Sequence, residues 1–195
     1  MIDGGSQDRT VNQAEEEGVI VGCSKRGRGM QCNVGASLAC GDILLFLHAD
    51  TRLPEDAFEK LNQFFRNERV EIGTFRLKFD ERNWILAFCA LFSRFDSVFT
   101  RFGDQGIVIR KSFFKAIGGF PDWPLFEDVG ILQAARRKTR IYSFPTAVTT
   151  SARRYMQNGV IRQQLQNLWY MIQYLSGKSP IELAAEYERR KRKAF

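Results

Sequence analysis

Apolar residues recur along this chain in two rhythms, and the changes of rhythm mark its elements. Residues 8–17 have helical spacing stopped by Gly18, and 19–22 suit a short strand. Arg28 to Ala39 reads as a second helix ending before Gly41. The unbroken apolar run Ile43 to Leu47 then predicts a buried strand over 42–47, closed by His48-Ala49-Asp50-Thr51. Pro54 suits a first helical turn, with Phe58, Leu61, Phe64 and Phe65 on one face of the helix that follows. Phe75, Leu77 and Phe79 alternate with polar neighbours, so 72–79 is a half-buried strand. An aromatic helix follows over 83–99. Next come a strand at 107–109, a helix at 111–117 ended by Gly118-Gly119, and a helix from Glu127 to about Lys138. Short strands at 140–144 and 147–150, a long helix at 159–175, and a last helix opened by the capping box Ser179-Pro180-Ile181-Glu182 complete the series. The alternation predicts an α/β fold without repeats or a domain linker.

Composition narrows the picture. At 195 residues, 44% hydrophobic and 26% charged, the chain suits one folded domain. Its 17 phenylalanines point to a well-filled core or an apolar groove. The net charge of +7 fits nucleic acid, an anionic membrane or phosphorylated substrates, although Arg189-Arg190-Lys191-Arg192-Lys193 supplies part of it from the tail. No RRM, KH or zinc-finger pattern accompanies the charge, which argues against nucleic acid. Four cysteines without a CxxC pair and a single histidine argue against structural zinc; reduced thiols and a cytoplasmic location are expected. The longest apolar run, Trp84 to Phe92, is too short to span a bilayer.

Several polar segments could carry chemistry. Asp3-Gly4-Gly5-Ser6-Gln7-Asp8 lets backbone approach a ligand, with Asp3 as an acceptor for a base or ribose; it would serve equally as a turn capped by Ser6 or Asp8. The basic loop from Lys25 to Gly29 could hold a diphosphate, with Gln31 and Asn33 serving the same pocket, or be an exposed turn. Ligands of open α/β sheets bind outside the carboxyl ends of strands, which is where His48-Ala49-Asp50 falls. Asp50 there could hold a hard divalent ion beside a phosphorylated substrate, or cap a helix. Gly103-Asp104-Gln105-Gly106 suits a substrate-facing loop or a plain turn. Glu127-Asp128 opens a helix as a general base or as acids favoured by the helix dipole, with Trp123 nearby for sugar stacking or packing. Arg153-Arg154 lies in a basic loop that could hold a diphosphate or an anionic acceptor, or simply face solvent.

In this order the segments resemble family 2 glycosyltransferases of the GT-A fold, over residues 1 to about 175. The motifs D-G-G-S-x-D at Asp3, G-R-x-x-Q-x-N at Gly27, L-H-A-D-T at Leu47, G-D-Q-G at Gly103 and G-G-F-P at Gly118 are similar to those of a bacterial subgroup found near radical-SAM and selenium-related genes. The resemblance implies a catalytic domain over 1–175, followed by a C-terminal helix and basic tail over 176–195. It implies transfer of a sugar from a nucleoside-diphosphate sugar to an acceptor hydroxyl, with inversion and with Mg²⁺ or Mn²⁺ assistance. Asp128 would be the base, with Glu127 its rival. Asp3, Gly4, Ser6, Arg28, Gln31, Asn33 and Asp50 would bind the donor. Asp104, Gln105, Trp123, Arg153 and Arg154 would line the acceptor or diphosphate side. Asp50 would hold the metal, with His48 in the first position of the D-x-D-like motif.

Family members begin with a strand, a helix and a second strand before the D-G-G-S turn, whereas Met1-Ile2 leads straight into Asp3. The resemblance therefore implies a sheet lacking the first strand and helix and most of the second strand, with an exposed edge and an incomplete base pocket. A truncated gene model is the favoured explanation, beside an N-terminus supplied by another chain. The remaining alternative is a catalytically impaired remnant that binds a nucleotide or a partner protein. The 195-residue form is expected to transfer sugar poorly by itself. The apolar stripes of 84–102 and of the helix carrying Val160, Leu165, Leu168, Trp169 and Ile172 are core, or an apolar surface near the acceptor site that allows peripheral membrane contact. The identity of the sugar, base and acceptor, and the oligomeric state, are not legible.

Overall fold

The computed structural model describes residues 1–193. Strands Ile2–Asp3 (β1) and Gly22–Cys23 (β2) pair in parallel, joined by helix Thr10–Glu16 (α1), none of whose residues is buried. The main sheet has five strands: Ile43–Phe46 (β3), Thr51–Arg52 (β4), Ile72–Phe79 (β5), Ile107–Arg110 (β6) and Tyr142–Thr150 (β7). Their order is β3-β6-β5-β7-β4, with β5 and β7 parallel and the other pairs antiparallel. The expected mixed α/β architecture is present. The β1–β2 pair shares no ladder with the five strands, and β3 is an edge strand of the larger sheet.

Helices Arg28–Leu38 (α2), Lys111–Ala116 (α5) and Glu127–Arg136 (α6) cover one face, where Leu44, Ile107, Ile109, Phe114 and Ile131 form a core. Helix Ala57–Phe65 (α3) covers the other, with Val108, Phe75 and Phe144 beneath it. Successive residues of β6 thus point to opposite cores, as a strand buried on both faces requires. The remaining helices are Trp84–Leu91 (α4), Arg153–Asn158 (α7), Val160–Leu175 (α8) and Pro180–Lys193 (α9). Arg189 and Arg190 of the basic tail are exposed, and the side chains of Lys191, Arg192 and Lys193 lie outside the described residues.

Four expectations need correction. The aromatic helix ends at Leu91 rather than near 99. Ser93 turns back to donate to the Ala90 carbonyl (2.6 Å) while its hydroxyl oxygen accepts the Leu77 amide (2.9 Å), which latches the chain onto β5. Phe58 is 65% exposed, because the face that packs is Ala57, Leu61 and Phe65 at helical spacing. The two strands predicted around Pro145 are one strand. The proline, which lacks an N–H, falls where the β5–β7 register shifts, a place that needs no donor. Arg153-Arg154 opens α7 instead of lying in a loop, because Asp80 accepts the Ala152 amide at 2.7 Å and Ser151 accepts the Arg153 amide.

Two side chains join the smaller sheet and a later loop to α2. Gln31 donates through Nε2 to the Ile2 carbonyl at 2.8 Å. Asn33 donates to the Phe120 carbonyl and accepts the Phe120 amide, both at 2.9 Å, stapling α2 to the G-G-F-P turn. Replacing Asn33 by Ala removes both bonds and leaves a part-buried amide and carbonyl unpaired. The expected loss is about 2 kcal/mol of stability, read as a lower urea midpoint at unchanged slope; an unchanged midpoint would show that solvent replaces the staple.

Candidate active site

The site is organised by the N-terminus of α6. Phe126, its N-cap, adopts the left-handed conformation (φ 64°), uncommon for a bulky residue, and its ring packs on Tyr174 with centroids 5.0 Å apart. That turn sends Glu127 inward, where it is 3% exposed, while Asp128 lies half-buried beside it. Glu127 pairs with Arg28 at 2.8 Å. Burial raises the Glu127 carboxyl above its ordinary range, and the Arg28 charge opposes this. The approach of α2 is close enough that a Cβ at Gly29 would lie 2.5 Å from the Pro121 carbonyl oxygen. Arg28 approaches Glu127 through Nε, and its side chain remains more than half exposed, leaving guanidinium donors for an anion.

Asp128 holds the next segment. Its Oδ2 accepts the Gly103 amide at 2.7 Å, and its Oδ1 accepts the Val129 amide at 2.8 Å. A Cβ at Gly103 would sit 2.9 Å from Asp128 Cβ and 3.2 Å from His48 Nε2, so only glycine lets this turn dock between those residues. The turn then splits its polar side chains. Gln105 is buried structurally, donating to the Thr100 carbonyl and accepting from Thr74. Asp104 faces a cleft of about 1040 Å³, and its buried Oδ1 has no hydrogen-bond partner among the described residues. Burial, and then the charges of Asp128 and Asp50, push the Asp104 carboxyl up to about 7.

His48 and Asp50 follow β3 at the end of the sheet. Burial, and then the Arg28 charge, lower the His48 imidazole below its usual value, so it is neutral at pH 7. Asp50 is exposed, and its charge acts on both His48 and Asp104. Among the described residues no three His, Cys, Asp or Glu side chains gather to hold a metal ion. With one exposed carboxylate and one neutral imidazole, the protein fits a divalent cation only if phosphate oxygens and water complete its shell. Asp3 is buried and organises its own turn: Oδ2 accepts the Gly5 and Ser6 amides (2.7 and 2.9 Å) and Oδ1 the Ser6 hydroxyl (2.5 Å). These bonds, the Ser6 hydroxyl first, hold its carboxyl below the usual range.

The predicted residues thus divide. Arg28, His48, Asp50, Asp104, Glu127 and Asp128 interact around one sheet edge, and Arg154 reaches them across the cleft. Gln31, Asn33 and Gln105 make bonds that hold backbone. Gly4 packs against Gln31 and the backbone of Arg26. Trp123 packs edge-on to Tyr174 and over Gly130. Arg153 faces solvent beside Asp80 and Glu81. Sequence reasoning did not single out Tyr155, which lines the cleft with its phenol pushed up to about 12 by burial and then by the Asp104 charge. Nor did it single out Arg101, 1% exposed, which donates to the Tyr142 carbonyl at 2.9 Å and neighbours Asp96. Only the position of Arg101, two residues before the G-D-Q-G turn, could have signalled it.

This sheet, with its polar strand ends and flanking helices, has the architecture of the GT-A nucleotide-sugar transferases. S. aureus TarS 1–349 in complex with UDP-GlcNAc superimposes with a TM-score of 0.62 at 17% identity, covering 77% of this chain and 48% of that one. The mannosyltransferase PcManGT from Pyrobaculum calidifontis, in complex with GDP-Man and Mn²⁺, gives 0.57 at 15% identity, covering 96% and 58%. Mannosyl-3-phosphoglycerate synthase from Rubrobacter xylanophilus gives 0.53 at 16%, covering 98% and 63%. The chain therefore spans about half the length of TarS 1–349 and somewhat more of the others. No curated protein sequence matches it. The family model described as Glycosyl transferase family 2 matches residues 1–118, and the chain belongs to that family.

The Asp104 carboxyl titrates near 7 when folded and near 3.8 when unfolded, so the folded state binds the extra proton between these values. Its contribution is fully present below about pH 4 and is lost as pH rises through about 7. Asp104→Asn should match the native chain in urea midpoint at pH 4 and exceed it at pH 8. A pH-independent difference would show that the carboxyl is not shifted.

Proposed function

We propose that this chain transfers a glycosyl group from a nucleoside-diphosphate sugar to an acceptor hydroxyl, with inversion. Supporting this is the convergence of Arg28, His48, Asp50, Asp104, Glu127 and Asp128 on one strand-end edge, tied by the Asp128–Gly103 and Arg28–Glu127 contacts. The acceptor oxygen attacks the anomeric carbon from the face opposite the diphosphate. As the new C–O bond forms, the bond from the anomeric carbon to the diphosphate oxygen breaks, and the nucleoside diphosphate leaves with that electron pair. The hydroxyl proton passes to Asp128, whose oxygens each retain a second lone pair beyond the amide they accept. Arg28 binds the diphosphate through donors left free by Glu127, and Glu127 orients that guanidinium. Arg154 adds positive charge from the other wall. When bound on Asp50 and the donor diphosphate, a divalent cation would offset charge developing on the leaving group.

The D-G-G-S, L-H-A-D-T, G-D-Q-G and G-G-F-P motifs support membership of the bacterial subgroup found near radical-SAM and selenium-related genes. The reading is of a cytoplasmic enzyme. Among the described residues no helix is long and apolar enough to cross a membrane. A second reading, a catalytically impaired remnant that binds a nucleotide or a partner protein, is favoured by one observation. The nucleotide side rests on a two-stranded pair that shares no ladder with the main sheet and is held to the rest through α2.

Isothermal titration with UDP and with GDP, each with and without Mn²⁺, tests the transferase. One nucleotide should bind at least about tenfold tighter with Mn²⁺, and Asp50→Ala should remove that dependence, whereas Mn²⁺ alone should show no strong binding. In Asp128→Asn, whatever transfer the chain supports should fall about 10²- to 10⁴-fold while nucleotide affinity persists. Binding without transfer selects the remnant; failure to bind either nucleotide sinks both nucleotide readings.

A further inference from the structure

The large cleft is more than the acid edge needs. Leu77, Phe92, Phe102, Phe126, Leu165 and Leu168 give it apolar walls drawn from β5, the segment after α4, the N-cap of α6, and α8. At about 1040 Å³ it stands at the upper end of the size range of small-molecule sites. Polar groups are interspersed with these walls; Arg28 and Asp104 stand on one side, and Arg154, Tyr155, Gln164 and Asn167 on other elements of the lining. The Asp104 oxygen described above is buried and unpartnered among the described residues, and an occupant's hydroxyl, able both to donate and to accept, can complete it. The apolar walls continue outward: Leu165 is 61% and Leu168 46% exposed, and Trp84, Phe88 and Phe95 are exposed on and after α4. A peptide helix, roughly 10–12 Å across, would fill such a volume with about two turns and leave its terminal amides and carbonyls against apolar walls. A flexible hydrocarbon chain has no such groups to satisfy.

We propose that this cleft binds an amphiphilic acceptor, with its hydrocarbon chain along the walls of α8 and the segment after α4 and a headgroup hydroxyl donating to Asp104. This rests on the transferase reading and names the acceptor class. It places the headgroup at Asp104, one residue from Gly103, whose amide Asp128 accepts. The chain supplies affinity in proportion to the apolar area it buries, and the headgroup supplies register.

Titration of the 195-residue chain with 1-monoacylglycerols of six, eight and ten carbons, each below its micelle concentration, tests the cleft. Affinity should rise by about two- to fourfold per added CH₂. Leu165→Asp and Leu168→Asp, at positions exposed enough to keep the fold, should flatten that series. A flat series on the native chain, as a polypeptide occupant would give, overturns the proposal; so does a series unchanged in both variants. Methylating the headgroup hydroxyls should weaken binding about tenfold on the native chain and clearly less on Asp104→Ala. An equal loss on both chains overturns the placement of the headgroup. UDP and GDP titrated into the same samples report the donor side separately. If neither binds while the chain-length series holds, the transferase reading falls and the apolar site stands.

Discussion

A carboxylate that is 3% exposed is tolerable only beside a matching charge, and the Arg28–Glu127 pair is the constraint on which the site is built. Arg28 opens α2 and Glu127 opens α6, so the pair draws two helix N-termini together. Helix N-termini favour negative charge, which suits Glu127 and Asp128 in the first turn of α6. Their approach depends on Gly29 having no Cβ against Pro121 and on Asn33 holding the Phe120 backbone one turn further along α2. The left-handed Phe126 completes the arrangement by turning Glu127 inward rather than out to solvent. Once Glu127 is engaged, Asp128 is left facing the G-D-Q-G turn, whose Gly103 amide it accepts.

The elements with a strong rhythm were legible. Strand β5 occupies the residues its alternation marks, and β3 and β6 lie within a residue of theirs, because a strand buried on one or both faces must repeat every second residue or run apolar throughout. The unforeseen strand β4 and the corrected ends of α4 and α7 depend on partners far away in sequence. Strand β4, two residues long, exists through its ladder with β7 and the hydroxyl bond between Thr51 and Thr150. The end of α4 is set by Ser93 reaching β5, and the start of α7 by Asp80 accepting the amide of its N-cap, Ala152. No local pattern contains those contacts.

The candidate site was legible as a set of polar residues in apolar surroundings, yet their division of labour was not. Gln31, Asn33 and Gln105 look on the page like ligand-binding amides, and each proves to hold backbone. The reason is general: a buried main-chain group without a ladder partner must find a side chain, and the glycine-rich turns of this chain offer many such groups. Asp3 follows the same logic, with three of its acceptor positions satisfied by its own turn. The groups left incompletely satisfied are ionisable: Arg28, Asp50, Asp104, Arg154 and the second oxygen of Glu127. An ion left without a full complement of partners is costly in a protein unless a ligand or solvent completes it, which is why the unfinished groups mark the site better than the motifs do.

That distinction also separates Asp104 from Asp128, two acids joined through Gly103. Asp128 accepts two amides and is held in place by them. Asp104 has a buried oxygen with no partner among the described residues, and its carboxyl is shifted up to about 7. A fixed acid suits directed proton transfer, for which geometry comes first. An acid with an open acceptor suits recognition of a hydroxyl, because a ligand lacking that hydroxyl would leave the oxygen unpaired. The same turn holds the sheet through Gln105 and fixes Asp128 through the Gly103 amide; under the proposed reading it would serve chemistry through Asp128 and recognition through Asp104. The apolar walls beyond Asp104 make recognition there depend on what the rest of the ligand is, and not on the hydroxyl alone.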